Sequence, residues 1–280
     1  MPRRLPITGM SQEPRERFRQ VLKEQREKLG LSFRELSRRL GWDQSLLSRL
    51  ESGATIGSPQ VAMGLDTFYG TTPLILTLWE LAAADPGQYK AQYRPYMKYE
   101  AQAISLWHYG DCVLHGLLQT PAYARELLAK GGYRGEELEQ QVEARMNRRS
   151  MLEGEGAPGF RAILSEAVLR NVLRDPQEWR RQLEYLLEVM EYPNVTLYVL
   201  PFGTGLHGLM DTPITFMQLP DNRTVAYVEN VVGTELVEDA NGVAELQRRY
   251  DAIRDTAKIP AESRSFILRL LEEVPCDPST

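Results

Sequence analysis

Apolar residues recur every three or four positions through the first 80 residues, which predicts a series of short amphipathic helices. In the first of them, from about Glu13 to Leu29, the side chains of Phe18, Val21 and Leu22 share one face. Gly30 follows at the position where a left-handed residue commonly ends a helix. The pattern therefore predicts an opening helix that packs on its neighbours through one apolar face.

Helix start and stop signals divide the rest of this segment into four further helices. Ser32 and Glu35 have the spacing of a capping box and begin the second helix, and Gly41 supplies the turn that ends it. Asp43 can cap the third helix, which runs to the glycine at position 53. The last two helices each follow a hydroxyl residue and a proline, at Ser58-Pro59 and Thr72-Pro73. Five short helices of this kind predict a compact all-α domain.

From residue 103 onward, short β-branched runs alternate with helical segments, which predicts a mixed α/β domain. Strands are predicted at 103–109, 160–164, 195–200, 214–219, 225–229 and 234–237. Helices are predicted after Thr120, over 136–152, after Ser165, after Asp175, and over 242–258 and 261–273. The predicted organisation is thus a flexible arm (1–12), a helix-turn-helix domain (13–82), a helical linker (83–102), an α/β domain (103–274) and a tail (275–280).

Charge is distributed unevenly along the chain. Residues 1–80 carry 12 Lys and Arg against 9 Asp and Glu, a balance of +3, whereas the whole chain of 280 residues has a net charge of −5. The remaining 200 residues therefore carry −8. Such an asymmetry is typical of a nucleic-acid-binding module joined to a domain of another kind. Because acidic surfaces repel phosphates, we expect DNA to meet only the N-terminal part.

The sequence shows no signal-peptide pattern and no apolar run of membrane-spanning length. Its two cysteines, Cys112 and Cys276, lack zinc-site spacing and are too few for a disulfide framework. The three histidines, at positions 108, 115 and 207, also lack metal-ligand spacing. We therefore expect a cytoplasmic protein that uses neither a metal nor another cofactor.

Residues 26–53 read REKLGLSFRELSRRLGWDQSLLSRLESG, two helices joined at a glycine turn. Leucines at helical spacing face inward, and this arrangement predicts a helix-turn-helix whose second helix enters the major groove. Glutamine can pair there with adenine and arginine with guanine, while basic residues and helix N-termini bind phosphates. The predicted DNA contacts are Gln44, Ser45, Ser48 and Arg49 in the second helix, and Ser32, Arg34 and Arg38 at the first.

Residues 14–80 resemble the phage-repressor, or xenobiotic-response-element (XRE), class of helix-turn-helix domains, on the strength of the segment SRLESG at 48–53. In that class an arginine matching Arg26 pairs with a glutamate matching Glu51 beside the DNA backbone. The resemblance therefore implies this ion pair and places Arg26 at the DNA-binding surface. Two positions depart from the class: Phe33 replaces a phosphate-binding glutamine, and Trp42 replaces a small aliphatic residue. These departures bear on the phosphate contact and leave the predicted fold unchanged.

The charged stretch at 26–40, taken alone, fits the solvated surface of two amphipathic helices equally well. The turn glycine, the capping box and the SRLESG segment occur together, and together they favour the DNA-binding interpretation.

The stretch GTGLHG at residues 203–208 has the spacing of a dinucleotide-binding loop, which requires a helix immediately afterwards. The following residues, DTPITFM, predict a strand instead, so we interpret the glycines as a turn between strands. His207 follows a strand in a segment similar to phospholipase D-like folds, but Leu209 stands where that chemistry needs a second basic residue. We predict that the protein is not an enzyme.

Four phrases in the second half carry another resemblance: HGLLQTPAYARELL, FRAILSEAVLR, TLYVLPFGTGLHG and AYVENVVG. Residues 95–274 resemble the C-terminal domain of actinobacterial antitoxin-like transcriptional regulators, which often occur beside a small partner protein. His115 stands where that family usually has a proline. The resemblance implies a sensor or partner-binding role for this domain.

A ligand or partner site is predicted in a cleft between the loop Phe202–Met210 and the segment His115–Thr120. Glycines at a strand end free the backbone, and loops at the carboxyl ends of strands in α/β domains commonly bind ligands. A purely structural crossover explains the glycines equally well. The candidate residues are Trp107, His115, Phe202, Gly203, Gly205 and His207.

The sequence thus predicts a multidomain protein, with an N-terminal all-α five-helix domain and a C-terminal mixed α/β domain, that binds double-stranded DNA as a homodimer. The second domain is expected to receive a protein or small-molecule signal. One alternative is an antitoxin-like protein that neutralises a small partner, encoded nearby, and regulates its own operon. Another is an enzyme with a phospholipase D-like domain that the helix-turn-helix directs to DNA.

Overall fold

The computed structural model of the chain describes residues 13–83, 94–210, 212–229 and 234–275. The predicted arm (1–12), part of the predicted linker (84–93) and residues 276–280 of the tail lie outside this description. Within it the chain forms two compact units, the first from residues 13–83 and 134–147, the second from residues 94–133 and 148–275. The fold class is the predicted one, a helical N-terminal region followed by a mixed α/β region.

The helices, numbered in chain order, are α1 (Pro14–Lys28), α2 (Phe33–Leu40), α3 (Gln44–Ser52), α4 (Pro59–Tyr69), α5 (Leu74–Ala83), α6 (Arg94–Glu100), α7 (Pro121–Lys130), α8 (Gly135–Asn147), α9 (Glu166–Arg170), α10 (Pro176–Val189), α11 (Ala240–Arg254) and α12 (Pro260–Glu273). The strands are β1 (Ser105–Gly110), β2 (Gly159–Ser165), β3 (Val195–Leu200), β4 (Ile214–Gln218), β5 (Thr224–Glu229) and β6 (Thr234–Val237). Short 3-10 helices cover Gly116–Leu118 and Arg148–Leu152, so the helix predicted over 136–152 is α8 followed by a 3-10 turn.

Local signals in the sequence set the helix boundaries of the first unit. The Ser32 hydroxyl accepts a hydrogen bond from the Glu35 amide, and the Glu35 carboxylate accepts one from the Ser32 amide, which completes the predicted capping box. Gly41 and Gly53 end α2 and α3 in the left-handed conformation, with φ of 71° and 81°.

The start of α5 differs from the prediction. The helix begins at Leu74, whose amide donates to the Thr71 carbonyl, and the next two amides donate to the buried carboxylate of Asp66 rather than to Thr72. Asp66 accepts hydrogen bonds from Ile75 at 2.9 Å and from Leu76 at 2.8 Å. The sequence pattern marked a helix start correctly in position, but the oxygen that caps it comes from the preceding helix, α4.

The second unit is built on one sheet in the described residues, with strand order β3-β2-β1-β4-β5-β6. The β1–β2 and β2–β3 pairs are parallel, and the β4, β5 and β6 pairings are antiparallel. Because side chains alternate along a strand, each face of this sheet has its own apolar cluster. Leu106 lies in the cluster that includes residues of α10 and α12, whereas Tyr109 lies in the cluster that includes residues of α11.

Candidate nucleic-acid interface

Helix α3 presents its polar residues to solvent and its apolar residues to the core of the first unit. Leu47 and Leu50 are buried, and their cluster includes apolar residues of α1, α2, α4 and α5. The four side chains predicted to read bases, Gln44, Ser45, Ser48 and Arg49, are exposed. Short polar groups on the N-terminal half of a second helix are the arrangement that helix-turn-helix proteins use in the major groove.

Helix α2 contributes the positive charge that phosphate binding requires. Ser32, Arg34 and Arg38 are exposed, as the sequence predicts for residues that face a DNA backbone. Within the described residues, no salt bridge involves Arg34, Arg38 or Arg49.

The capping side chains use two of the backbone amides that could have bound phosphates. The Glu35 amide donates to Ser32, and the Ser45 amide donates to the carboxylate of Asp43 at 2.7 Å. The hydrogen bond from Ser45 lowers the pKa of the Asp43 carboxyl, which keeps this group charged. Phosphate contacts at the starts of α2 and α3 therefore depend more on side chains than the sequence suggested.

Arg26 and Glu51 form the ion pair that the family resemblance implies. Nε of Arg26 donates to Oε1 of Glu51 at 2.7 Å and Nη2 donates to Oε2 at 2.9 Å, while Nη1 donates to the Leu31 carbonyl at 2.8 Å. The hydrogen bond to Glu51 raises the pKa of the guanidinium. With all three nitrogens engaged, Arg26 holds α3 against α1, and we assign it to positioning rather than to direct DNA contact.

Both departures from the family pattern have packing partners in the first unit. The Arg26 guanidinium lies 4.5 Å from the ring centre of Phe33, which is a cation–π contact. The Trp42 ring lies against Gly64 of α4, and a Cβ on that glycine would come within 2.7 Å of Trp42 Cη2. The large Trp42 side chain in the turn is thus accommodated because α4 has a glycine, Gly64, at the contact.

The predicted cleft in the second unit is not formed, because its two segments lie on opposite faces of the sheet. The ring of His115 lies 4.7 Å from the ring of His108 on the β1 face that also holds Leu106. The ring of His207 packs edge-on against Tyr109, which points to the other face. Trp107 lies on the same face of β1 as Tyr109. Because side chains alternate along a strand, it points away from His108, against which His115 packs.

The loop that carries Phe202, Gly203, Gly205 and His207 is a turn between β3 and β4, with no helix among its described residues. Gly203 and Gly205 have φ of 84° and 88°, which favours glycine at both positions. Burial lowers the pKa of the His207 imidazole, and the ring contacts Tyr109. A dinucleotide-binding loop needs a helix directly after the glycines, and β4 follows here instead, as the sequence predicted.

Sequence reasoning missed a buried polar cluster around His115. Glu100 and Arg148 form two hydrogen bonds, Nε to Oε2 at 2.8 Å and Nη2 to Oε1 at 2.6 Å. The Tyr96 hydroxyl donates to Glu100 at 2.6 Å and lies 2.9 Å from Nε2 of His115. Burial raises the pKa of Tyr96 well above its ordinary value, and the adjacent Glu100 carboxylate raises it further. These residues span more than 50 positions of sequence, and no local pattern links them.

His108 adjoins this cluster and carries a buried nitrogen without a hydrogen-bond partner. Its Nδ1 lies 2.9 Å from the Thr215 hydroxyl, whereas Nε2 is unpaired within the described residues. Burial lowers the pKa of this imidazole well below its ordinary value, and the neighbouring His115 lowers it further. The described residues contain no group of three or more His, Cys, Asp and Glu side chains placed to hold a metal ion. None of the described helices combines the length and apolar character that a bilayer crossing requires.

Comparisons with known families divide the chain in a similar way. The family described as "Helix-turn-helix domain" matches residues 17–76, which contain α2 and α3. The family described as "Domain of unknown function (DUF5753)" matches residues 93–269, more than half of the chain. No curated protein and no solved structure matches this chain.

Proposed function

We propose that this chain, which belongs to the DUF5753 family and carries an N-terminal helix-turn-helix domain, is a cytoplasmic, sequence-specific transcriptional regulator of the XRE type. The observation that carries the proposal is the exposed polar face of α3. Gln44, Ser48 and Arg49 are exposed there, and the side chains of Leu47 and Leu50 on the opposite face of the helix are buried. Such a helix can lay its N-terminal half in a major groove and discriminate bases.

The protein is proposed to bind DNA as a homodimer. One recognition helix touches only a few base pairs, which gives less contact than typical specific affinity requires. Two copies related by a two-fold axis would place two α3 helices on half-sites about one helical turn apart. The operator is therefore expected to be an inverted repeat.

The second unit is proposed to receive a signal from a small partner protein, as in antitoxin-like regulators. The loop between β3 and β4 supports this proposal because it exposes three large apolar side chains, Phe202, Leu206 and Met210, with Leu206 91% exposed. Exposed apolar groups of this size commonly mark protein interaction sites. A small-molecule signal remains the second candidate, and the buried His115 cluster is the polar group that favours it. Neither proposal requires enzyme activity.

Selection of duplexes from a random library by the full-length chain tests the DNA-binding proposal. We expect enrichment of one site with inverted-repeat symmetry, bound as two chains per duplex in analytical ultracentrifugation. A pool that stays random after several rounds would overturn the proposal of specific binding. Tight binding of one chain to an asymmetric site would overturn the dimer.

Co-elution tests the partner proposal. The Leu206→Asp variant should no longer co-elute with the coexpressed product of the neighbouring gene, while an exposed-surface control, Arg248→Asp, should still co-elute with it.

A further inference from the structure

One carboxylate of α8 binds the loop that follows α3, residues 53–58. Both carboxylate oxygens of Glu143 lie 2.6 Å from the Thr55 hydroxyl, which donates to them, and the Ile56 amide donates to Oε1 of Glu143 at 3.1 Å. Residues 134–147 belong to the first unit, so this contact lies inside that unit although 88 positions of sequence separate Glu143 from Thr55. Because hydrogen bonds to a charged acceptor are among the stronger ones in proteins, Glu143 fixes two successive residues of the loop.

Thr55 connects this contact to the C-terminal end of α3. Its amide donates at 3.3 Å to the Arg49 carbonyl, which also accepts a hydrogen bond from the Ser52 hydroxyl at 3.1 Å. The Thr55 hydroxyl accepts a hydrogen bond from the Gly57 amide at 3.0 Å, and the next side chain, Ile56, is buried in the core of the first unit. The position of Thr55 therefore affects how the last turn of α3 is closed, and Arg49 lies in that turn.

The two ends of α3 have separate anchors. The Asp43 carboxylate caps the N-terminal end by accepting a hydrogen bond from the Ser45 amide at 2.7 Å, next to Gln44. The loop at 53–58 closes the C-terminal end, next to Arg49. Loss of the carboxylate contact from α8 should therefore displace Arg49 more than Gln44.

We propose that Glu143 is a positioning residue for sequence-specific DNA binding: it holds Thr55, and Thr55 holds the end of α3 that carries Arg49. On this proposal α8 completes the DNA-binding unit from outside the helix-turn-helix segment. The inference rests on the proposed function, since it assigns a role to a contact of the proposed recognition helix. A carboxylate carried by a helix suits this role, because groups on regular elements are held more precisely than groups on loops.

Positioning and simple electrostatics predict effects of opposite sign. Removal of a carboxylate near a DNA-binding surface reduces the repulsion of phosphates, which strengthens binding to every sequence. Loss of a positioning contact instead weakens binding to the preferred sequence, because the side chain that reads it is no longer held in place. Glu136, an exposed carboxylate in the first turn of α8, provides the matched control, since its replacement removes the same charge from the same helix.

Affinities of the full-length chain for a selected duplex and for its shuffled counterpart test the proposal. We expect Glu143→Ala to weaken binding to the selected duplex about tenfold, near the lower end of the effect of losing a hydrogen bond to a charged group, and not to weaken binding to the shuffled duplex. Glu136→Ala should weaken neither. Thr55→Val, which removes the hydroxyl and keeps the shape, should act like Glu143→Ala, whereas Thr55→Ser, which keeps the hydroxyl, should bind nearly as the wild type does.

Double variants identify the end of α3 through which Glu143 acts. Added to Arg49→Ala, the Glu143→Ala substitution should cause little further loss on the selected duplex, because the side chain that it positions is already absent. Added to Gln44→Ala, it should multiply the loss by the same factor of about ten that it causes alone. A general loss of stability would act alike in the two backgrounds, so this comparison separates positioning from a merely structural role.

Hydrogen exchange of the DNA-free chain distinguishes failure of this inference from failure of the proposed function. Glu143→Ala should speed exchange of the Thr55 and Ile56 amides about tenfold, and Glu136→Ala should leave it unchanged. Unchanged exchange in Glu143→Ala, tighter binding of that variant to both duplexes, or equal losses in the Arg49→Ala and Gln44→Ala backgrounds would overturn the inference alone. If Glu143→Ala does not fold, equal affinities of Thr55→Val and Thr55→Ser for the selected duplex would overturn it. A wild-type chain that prefers no sequence would overturn the proposed function itself.

Discussion

The guanidinium of Arg26 and the carboxylate of Glu51 join α1 to α3 through two parallel hydrogen bonds, although 25 residues separate them in sequence. The two side chains are only 14% and 8% exposed. A bidentate pair with this little solvent access fixes both the distance and the rotation of α3 relative to α1. The orientation of α3 thus depends on an ion pair between two largely buried side chains.

Removal of this carboxylate should destabilise the first unit. Glu51→Gln leaves the Arg26 charge with little solvent and only the more distant Glu27 carboxylate, 3.9 Å away, as a counter-ion. We expect a loss of about 3 kcal/mol in unfolding free energy, measured by urea denaturation. Lys23→Gln, which breaks an exposed pair with Glu27 on the same helix, should leave the midpoint unchanged. Equal midpoints for Glu51→Gln and the wild type would show that the pair contributes nothing.

Because the Trp42 ring packs against Gly64, we expect Gly64→Ala to change the stability in opposite directions in the wild type and in a Trp42→Leu variant. Gly64→Ala should destabilise the wild type by about 1–3 kcal/mol, because the new Cβ overlaps the indole ring. In a Trp42→Leu background the same substitution should stabilise by up to about 1 kcal/mol, the ordinary helical preference for alanine. Thermal unfolding of the four variants measures both values, and the same sign in the two backgrounds would contradict the packing argument.

Local signals made the helix-turn-helix predictable. The capping box at Ser32, the glycines at 41 and 53, and the SRLESG segment act within a few residues of the features they determine. The resemblance added the Arg26–Glu51 pair, which spacing alone does not reveal. The capping of α5 by Asp66 could not be predicted, because the bond joins residues of two helices through tertiary packing.

The second unit shows where sequence reasoning failed and why. The strands and helices predicted from the sequence lie close to the observed ones. The predicted cleft, however, required the segments that carry His115 and His207 to lie on the same face of the sheet. Alternation along β1 already separates His108 from Tyr109, the residues against which those two histidines pack. The cluster of Glu100 and Arg148 depends on pairing across 48 positions, which a single sequence does not encode in any local pattern.

The buried imidazole of His108 predicts a loss of stability on acidification. Its pKa is lowered in the folded protein, so below about pH 6.5 the unfolded chain binds a proton that the folded protein does not. The unfolding free energy therefore falls as the pH decreases from that value, by at most about 1.4 kcal/mol per pH unit for this one group. We expect the unfolding free energy of His108→Gln, measured by urea denaturation between about pH 7.5 and 5, to fall less steeply with decreasing pH than that of the wild type. His207→Gln, which removes a less buried imidazole, should reduce this pH dependence of the unfolding free energy by a smaller amount. The same pH dependence in His108→Gln and the wild type would rule out this account.

The central claim is that α3 reads bases, and the most direct test is the binding of α3 variants to a selected duplex and to its shuffled counterpart. Gln44→Ala and Arg49→Ala should each weaken binding to the selected duplex by about 1–3 kcal/mol and leave the shuffled duplex nearly unaffected. Arg38→Ala, the matched phosphate-side control, should weaken both duplexes alike and reduce the slope of log affinity against log salt by about one. Equal losses on the two duplexes for Gln44→Ala and Arg49→Ala would contradict the assignment of α3 as the recognition helix.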